Sequence, residues 1–124
     1  MEYQFTDREL DVMGVLWEHG PATVAEVQQR LADALAYTTV LTILRTLEEK
    51  GHVGHVEAGR AYRYHAQVDR EAAGESAVRR LVRKVFQGSP ELLLTQLVAD
   101  RKLSGAQLER MRQLLDARVE RGEP

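Results

Sequence analysis

Apolar residues recur along the chain at two different periods, and the changes of period divide it. Leu10, Met13, Val15, Leu16 and Trp17 follow helical spacing after Thr6-Asp-Arg-Glu9. In that start Thr6 serves as N-cap and Glu9 completes a capping box. Gly20-Pro21 stops the helix, and Trp17, beside Met13 and Leu16, reads as a core anchor. Pro21-Ala-Thr-Val is a short extended link. Thr23 and Glu26 then repeat the capping box, and Val24, Val27, Leu31 and Leu35 supply a second stripe. Ala34-Leu-Ala36 leads into a third helix, where Val40, Ile43, Leu44 and Leu47 make one apolar face. Lys50 and Gly51 close it, a cation in the last turn followed by a C-cap glycine.

Beyond Gly51 the period becomes two. His52-Val-Gly-His-Val-Glu reads as a strand, Ala58-Gly59-Arg60 as a turn and Ala61-Tyr-Arg-Tyr-His-Ala66 as the return strand. Tyr62 and Tyr64 fall on one face, Arg63 and His65 on the other. Three helices followed by a hairpin predict a winged helix over residues 1–68. From Asp69, a helical cap, the period is helical again through Ala72, Ala73, Val78, Leu81, Val82, Val85 and Phe86. Gly88-Ser-Pro90 breaks this helix. A strongly apolar helix follows over Leu92–Val98, then one capped by Ser104 and Gln107 with Leu108, Met111, Leu114, Leu115 and Val119 as its stripe. Short amphipathic helices over residues 69–124 expose more apolar surface than they can bury alone, which a symmetric dimer resolves. The expected fold is mainly α with a small β-hairpin: a winged helix-turn-helix followed by a helical dimerisation domain. Val78, Leu81, Val82, Val85, Leu93, Leu97, Leu108, Met111 and Leu115 are its expected dimer contacts.

At about 100° per residue, the apolar face of the third helix leaves Thr38, Thr42, Arg45 and Glu49 on the opposite side, flanked by Thr39 and Thr46. Threonine is a mediocre helix former, and an ordinary solvated face would favour Glu, Lys, Gln or Ala. Short hydroxyls with an arginine suit close approach to DNA, where threonine bonds phosphate or touches a thymine methyl and arginine bonds phosphate or guanine. The alternative is a plain solvated face. Arg60 at the hairpin tip stands where a wing meets phosphate or the minor groove; the alternative is a hairpin that only closes the core.

Charge complicates this picture. The chain has 124 residues, 44% hydrophobic and 29% charged, with a net charge of −2. Its first 68 residues hold six Lys/Arg against ten Asp/Glu, a net of −4, and the remainder is net +2. Seven of those early acids precede Tyr37, whereas Arg45, Lys50, Arg60 and Arg63 lie on the third helix or after it. An acidic module with a basic edge should bind DNA in a salt-sensitive way.

Other chemistry is thinly represented. No apolar run approaches the ~20 residues of a membrane span, and Met1-Glu-Tyr-Gln-Phe is no hydrophobic leader, so a cytoplasmic protein without membrane insertion is expected. Cysteine is absent, which removes disulfides and thiolate metal sites. His52, His55 and His65 do not converge with a carboxylate cluster and read as solvated or hydrogen-bonded histidines, so no metal or cofactor is expected. Arg79-Arg80-Leu-Val-Arg83-Lys84 reads as a solvated helix face. No glycine-rich phosphate loop or nucleophile elbow is present, so no catalytic residue is assigned and an enzyme is not expected.

Thr6-Asp-Arg-Glu-Leu-Asp-Val-Met-Gly-Val-Leu-Trp17, Ala36-Tyr-Thr-Thr-Val-Leu-Thr-Ile-Leu-Arg-Thr-Leu-Glu-Glu-Lys-Gly51, Arg60-Ala-Tyr-Arg-Tyr64, Leu94-Thr-Gln-Leu-Val98 and Leu103-Ser104 together resemble the BlaI/MecI/CopY family of bacterial repressors. The resemblance covers nearly the whole chain. It implies an N-terminal winged helix, a helical dimerisation domain and repression from a dyad-symmetric operator. It matches Thr39, Thr42 and Thr46 to recognition-helix positions that meet DNA. Leu41 stands where relatives can carry a basic residue, which implies a different operator or weaker binding. In the antibiotic-responsive branch a membrane sensor protease pathway leads to cleavage in the dimerisation domain, a region that falls near Gln96 and Leu97 here. Relatives of that branch have an Asn–Phe bond at this place. The copper branch binds metal through C-terminal cysteines, which this chain lacks.

The expected function is thus a homodimeric transcriptional repressor. The 37–50 helix enters the major groove through Thr38, Thr39, Thr42, Arg45 and Thr46, and the 58–61 wing touches backbone through Arg60. A winged-helix protein-interaction module, or a regulator with a ligand-binding C-terminal domain, stands as the alternative.

Overall fold

In the computed structural model, which describes residues 2–122, the first helix opens on the expected reciprocal cap. Met1, Glu123 and Pro124, at the ends of the two expected domains, lie outside the described residues. Thr6 Oγ1 accepts from the Glu9 N–H at 3.1 Å, and Glu9 Oε1 accepts from the Thr6 N–H at 2.8 Å. Helix α1 spans Asp7–His19. The same box at Thr23 and Glu26 opens α2, Val24–Arg30. Leu31 is already extended (φ −68°, ψ 141°), so Leu31 and Leu35 belong to the connection rather than to the helix. They still pack against the core, and the Gln28 side-chain amide holds the connection by donating to the Leu35 carbonyl at 2.9 Å.

Helix α3 spans Tyr37–Glu49. Gly51, with φ 81°, ends it: the Gly51 N–H donates to the Glu48 carbonyl and the His52 N–H to that of Leu47, each at 2.9 Å. This pair is a Schellman motif, which requires the left-handed conformation that glycine adopts without strain.

Strands β2 (Val53–Ala58) and β3 (Ala61–Ala66) form the hairpin, with Ala58 opposite Ala61. Gly59, at φ 66°, supplies the positive φ that a two-residue hairpin loop needs. The stretch read as an extended link before α2 contains a further strand, numbered by chain order as β1 (Ala22–Thr23). It pairs antiparallel with β3, Ala22 opposite Tyr64, so the sheet has the order β1-β3-β2. Two residues are too few to show an alternating pattern, which is why sequence periodicity misses this strand. Tyr62 and Tyr64 share a face as expected, but only Tyr64 is buried.

The core sits between the helices and this sheet. Val12, Met13 and Leu16 of α1, Val27 of α2, and Val40, Leu44 and Leu47 of α3 are buried there, closed by Val53 and Tyr64. Trp17 is half-buried at its rim, and its Nε1–H donates to the Val68 carbonyl at 2.8 Å. Helix α4 (Arg70–Lys84) begins with the Asp69 carboxylate accepting from the Ala72 N–H at 2.7 Å. Its buried Ser76 accepts from the Tyr3 N–H at 2.8 Å, tying the N-terminal segment to this helix. The Val85 and Phe86 N–H groups still donate to Leu81 and Val82, after which Gln87 and Gly88, both at positive φ, turn the chain.

The chain divides into two compact units, Met1–Val78 and Arg79–Pro124, and the division falls within α4. The second unit contains the end of α4, α5 (Pro90–Val98, capped by Ser89) and α6 (Gly105–Arg121, with the expected Ser104–Gln107 box). Neither α5 nor α6 has a buried residue. Leu94, Val98, Leu108, Met111 and Leu115 line a groove of about 270 Å³ in this unit. Among the described residues, no helix is long and apolar enough to cross a membrane.

Candidate nucleic-acid interface

The apolar stripe of α3 rotates its other side outward. Thr38, Thr39, Thr42 and Arg45 are exposed and Thr46 is half-buried, while Arg60 is exposed at the hairpin turn. Thr42 Oγ1 donates to the Thr38 carbonyl at 2.9 Å. Its hydrogen is therefore engaged within the helix, and what it offers outward is lone pairs and a methyl group.

The start of α3 differs from the other helix starts. Among the described residues, α1, α2, α4, α5 and α6 each begin with a side-chain oxygen accepting a first-turn N–H. At α3 the N-cap is Ala36, with no side-chain cap and no acid in the first turn. The positive end of the helix dipole is thus left without a side-chain acceptor.

Pairing sorts the basic residues. Arg8 bonds Asp33 at 2.7 Å, Lys50 bonds Glu9 at 2.8 Å and Arg63 bonds Glu26 at 3.0 Å. Arg45 on α3 and Arg60 on the wing have no such partner among the described residues; nor has Arg30 at the end of α2. Asp33, Glu9 and Glu26 are thus paired internally, and the unpaired guanidinium groups of Arg45 and Arg60 remain on the face and wing singled out above. Exposed Glu49 lies at the C-terminal end of the same face, so the hydroxyl-and-arginine surface free of acids is the N-terminal part of α3.

The C-terminal end of α3 is anchored through a cluster that sequence reading treated as caps and surface charges. Glu9 is only 3% exposed; its carboxylate caps Thr6 and pairs with Lys50, which lies 41 residues away. Burial pushes the Glu9 carboxyl up, but the bonds and charge from Lys50 and Thr6 outweigh it and hold the group below the usual glutamate value. His52, buried against Tyr3 and Phe5, is pushed down by desolvation and then by Lys50, with Glu9 acting in the opposite sense. Burial also pushes the Tyr64 phenol up, with Glu48 adding to the effect, so it stays un-ionised.

Both acid-side shifts act in one direction on stability. Below 6.5 the unfolded chain protonates its histidine while folded His52 resists, so folding weakens as pH falls. Glu9 contributes stability above 4.5 that is lost as pH falls through its lower folded value. Thermal midpoints of the first unit should therefore decline from pH 6.5 downward. His52→Gln should flatten the upper part of that decline. A wild-type midpoint that stays level through this range would contradict the assignment.

The expected cleavage residues Gln96 and Leu97 are exposed within α5, so a protease would reach them only by unwinding that helix. The expected dimer residues are accessible on the single chain. Val78, Leu81, Val85, Leu97, Leu108 and Leu115 are exposed, and Val82, Leu93 and Met111 are half-buried.

A helix-turn-helix whose second helix presents hydroxyls and a free arginine, beside a β-hairpin wing, defines a winged-helix DNA-binding protein. The family model for the penicillinase repressor matches residues 5–117, and the chain belongs to that family of transcriptional repressors. It is a DNA-binding repressor, not an enzyme. The penicillinase repressor of Bacillus licheniformis is 26% identical over 115 residues, covering 91% of this chain and 90% of that protein. The solution structure of the DNA-binding domain of the repressor BlaI is 32% identical, with a TM-score of 0.51, over 58% of this chain and 93% of the other. Monomeric B. licheniformis BlaI, in complex with the blaP half-operator, is 31% identical with a TM-score of 0.50, over 58% and 90% of the two chains.

Proposed function

We propose that the chain acts as a homodimer on a dyad-symmetric operator. The N-terminal part of α3 enters the major groove; Thr38, Thr39, Thr42, Arg45 and Thr46 face bases and nearby phosphates, and Arg60 meets the backbone from the wing. The observation that carries this reading is the combination of an uncapped α3 N-terminus with Arg45 and Arg60 left unpaired in a unit where Arg8, Lys50 and Arg63 are bonded internally. The half-operator complex of BlaI supports the same kind of partner. The donated Thr42 hydroxyl narrows what that residue reads: an amino donor of adenine or cytosine, or a thymine methyl. Dimerisation through residues 78–115 brings two such faces together, and scission between Gln96 and Leu97 would cut α5 near its C-terminal end, detach α6 and release the operator.

The test is selection of a duplex from a random library by the full-length chain, followed by titration of Arg45→Ala and Thr42→Ala. Each variant is expected to lose about 1–3 kcal/mol of binding and to relax base preference at one position per half-site. Unchanged affinity in both would sink the recognition assignment. The rival reading, a winged-helix module for a protein partner, draws support from the net −4 of residues 1–68. It predicts that no duplex is selected at physiological salt.

A further inference from the structure

Glu48 and His55 meet across the turn that joins α3 to the wing. His55 Nδ1 lies 2.7 and 2.9 Å from the two Glu48 carboxylate oxygens. The His55 ring in turn lies against Tyr62 of β3, with centroids 4.4 Å apart, and 5.5 Å from buried Tyr64. Neither Glu48 nor His55 is part of the core, each side chain being 33% exposed.

The outer half of the hairpin has little else to hold it. From His55 to Ala61 no residue is buried, Val56 is 56% exposed and Tyr62 is 48% exposed. Its ladder pairs Glu57 with Tyr62 and Ala58 with Ala61, but a two-stranded ribbon without a packed face is marginal in water. Among the described residues, one chain of side-chain contacts links it to α3: Tyr62 on His55, and His55 on Glu48.

We infer that Glu48, His55 and Tyr62 form a brace that sets the wing against α3, with His55 a positioning residue for the backbone contact of Arg60. The inference rests on the proposed wing contact. The brace has a second consequence. Glu48 lies on the helix proposed to approach DNA, and His55 holds its carboxylate on the wing side of that helix. Free of the brace, the hairpin tip samples more orientations, and Arg60 loses affinity through the cost of ordering it on the duplex.

The experiment titrates the full-length chain with the duplex that the wild-type chain selects from a random library. Arg60→Ala, His55→Ala, Glu48→Ala, Glu48→Gln and the double variant His55→Ala/Arg60→Ala are compared. His55→Ala and Glu48→Ala are each expected to weaken binding about fivefold, the upper range for a partly exposed pair. Glu48→Gln, which keeps a hydrogen bond to His55 without the charge, is expected to bind at least as tightly as wild type. Once Arg60 is alanine, His55→Ala is expected to add nothing, because what it positions is gone. Additive losses from His55→Ala and Arg60→Ala would overturn the brace while leaving the wing contact standing. So would tighter binding by both Glu48 variants, the result of charge alone. No loss in Arg60→Ala itself would overturn the wing contact and the brace with it.

Discussion

A chain carrying Leu97→Asp and Leu115→Asp is expected to run as a monomer and to lose about 10²- to 10⁴-fold in affinity for a duplex with two half-sites. Both side chains are about half exposed on the single chain, at 45% and 50%, so neither substitution removes a core contact from its own unit. Each instead places a carboxylate on the apolar surface proposed to meet its twin, where desolvating an unpaired charge is prohibitive. The second unit needs that surface covered: α5 and α6 bury no residue, while Val98, Leu114 and Val119 are exposed as well. Helices with no buried side chain gain little from packing in one chain, so in the proposed dimer their folding and their association are coupled. Sedimentation would report the monomer, and far-UV circular dichroism a partial loss of helix confined to this unit. Binding to a duplex with a single half-site should hardly change. A variant that still sediments as a dimer would move the interface elsewhere.

Leu44→Ala is expected to cost the first unit about 2–5 kcal/mol, a large part of the ~5–15 kcal/mol that keeps a domain folded. Leu44 is fully buried in the centre of α3, among side chains from the other helices and the sheet. Truncation removes its transfer free energy and leaves a cavity in a site that can collapse only partly. Alanine's slightly better helix propensity does not offset this. Trp17, the single tryptophan, is half-buried at the core's rim and bonded to Val68, so its fluorescence follows the unfolding of this unit in urea. The proposed contact face should be spared, because Thr38 and Thr42 lie on the far side of the helix from Leu44 and Arg45 stands about 100° round from it. At a temperature where the variant is still folded, its affinity for the selected duplex should therefore stay near wild type. A large loss there, without unfolding, would mean that Leu44 sets the pitch of α3 in the groove and is more than scaffold.

The two variants separate the tasks of the chain. Arg45 and Thr42 act at the surface of α3, Leu44 beneath it, and Leu97 and Leu115 in the unit proposed to supply the second copy of the site. Charge adds to this division. The first unit is acidic overall, yet Glu9, Glu26, Asp33 and Glu48 are each engaged by a base within the same unit. Each such pair uses a base as well as an acid, so the net of −4 over residues 1–68 is unchanged; pairing decides only where the remaining charges lie.

Features that depend on near neighbours are legible in the chain. Capping boxes at Thr6, Thr23 and Ser104, the glycine stop at Gly51 and the hairpin around Gly59 involve residues three or four apart. Apolar spacing on α3 was enough to assign its buried and exposed sides, and with them Thr38, Thr42 and Arg45. Contacts between residues far apart in the chain emerge only from the packed fold. The pairing of β1 with β3 brings Ala22 to Tyr64, the Glu9–Lys50 pair joins the first helix to the end of the third, and Tyr3 reaches Ser76. Glu48 and His55 are nearer in sequence, but their meeting depends on how the chain reverses at Gly51 and on which face of β2 looks toward α3. Local periodicity contains no information on such partners. A charge read alone is assigned to solvent, and only packing reveals that it is buried, paired or, as with Arg45 and Arg60, left without an ionic partner among the described residues.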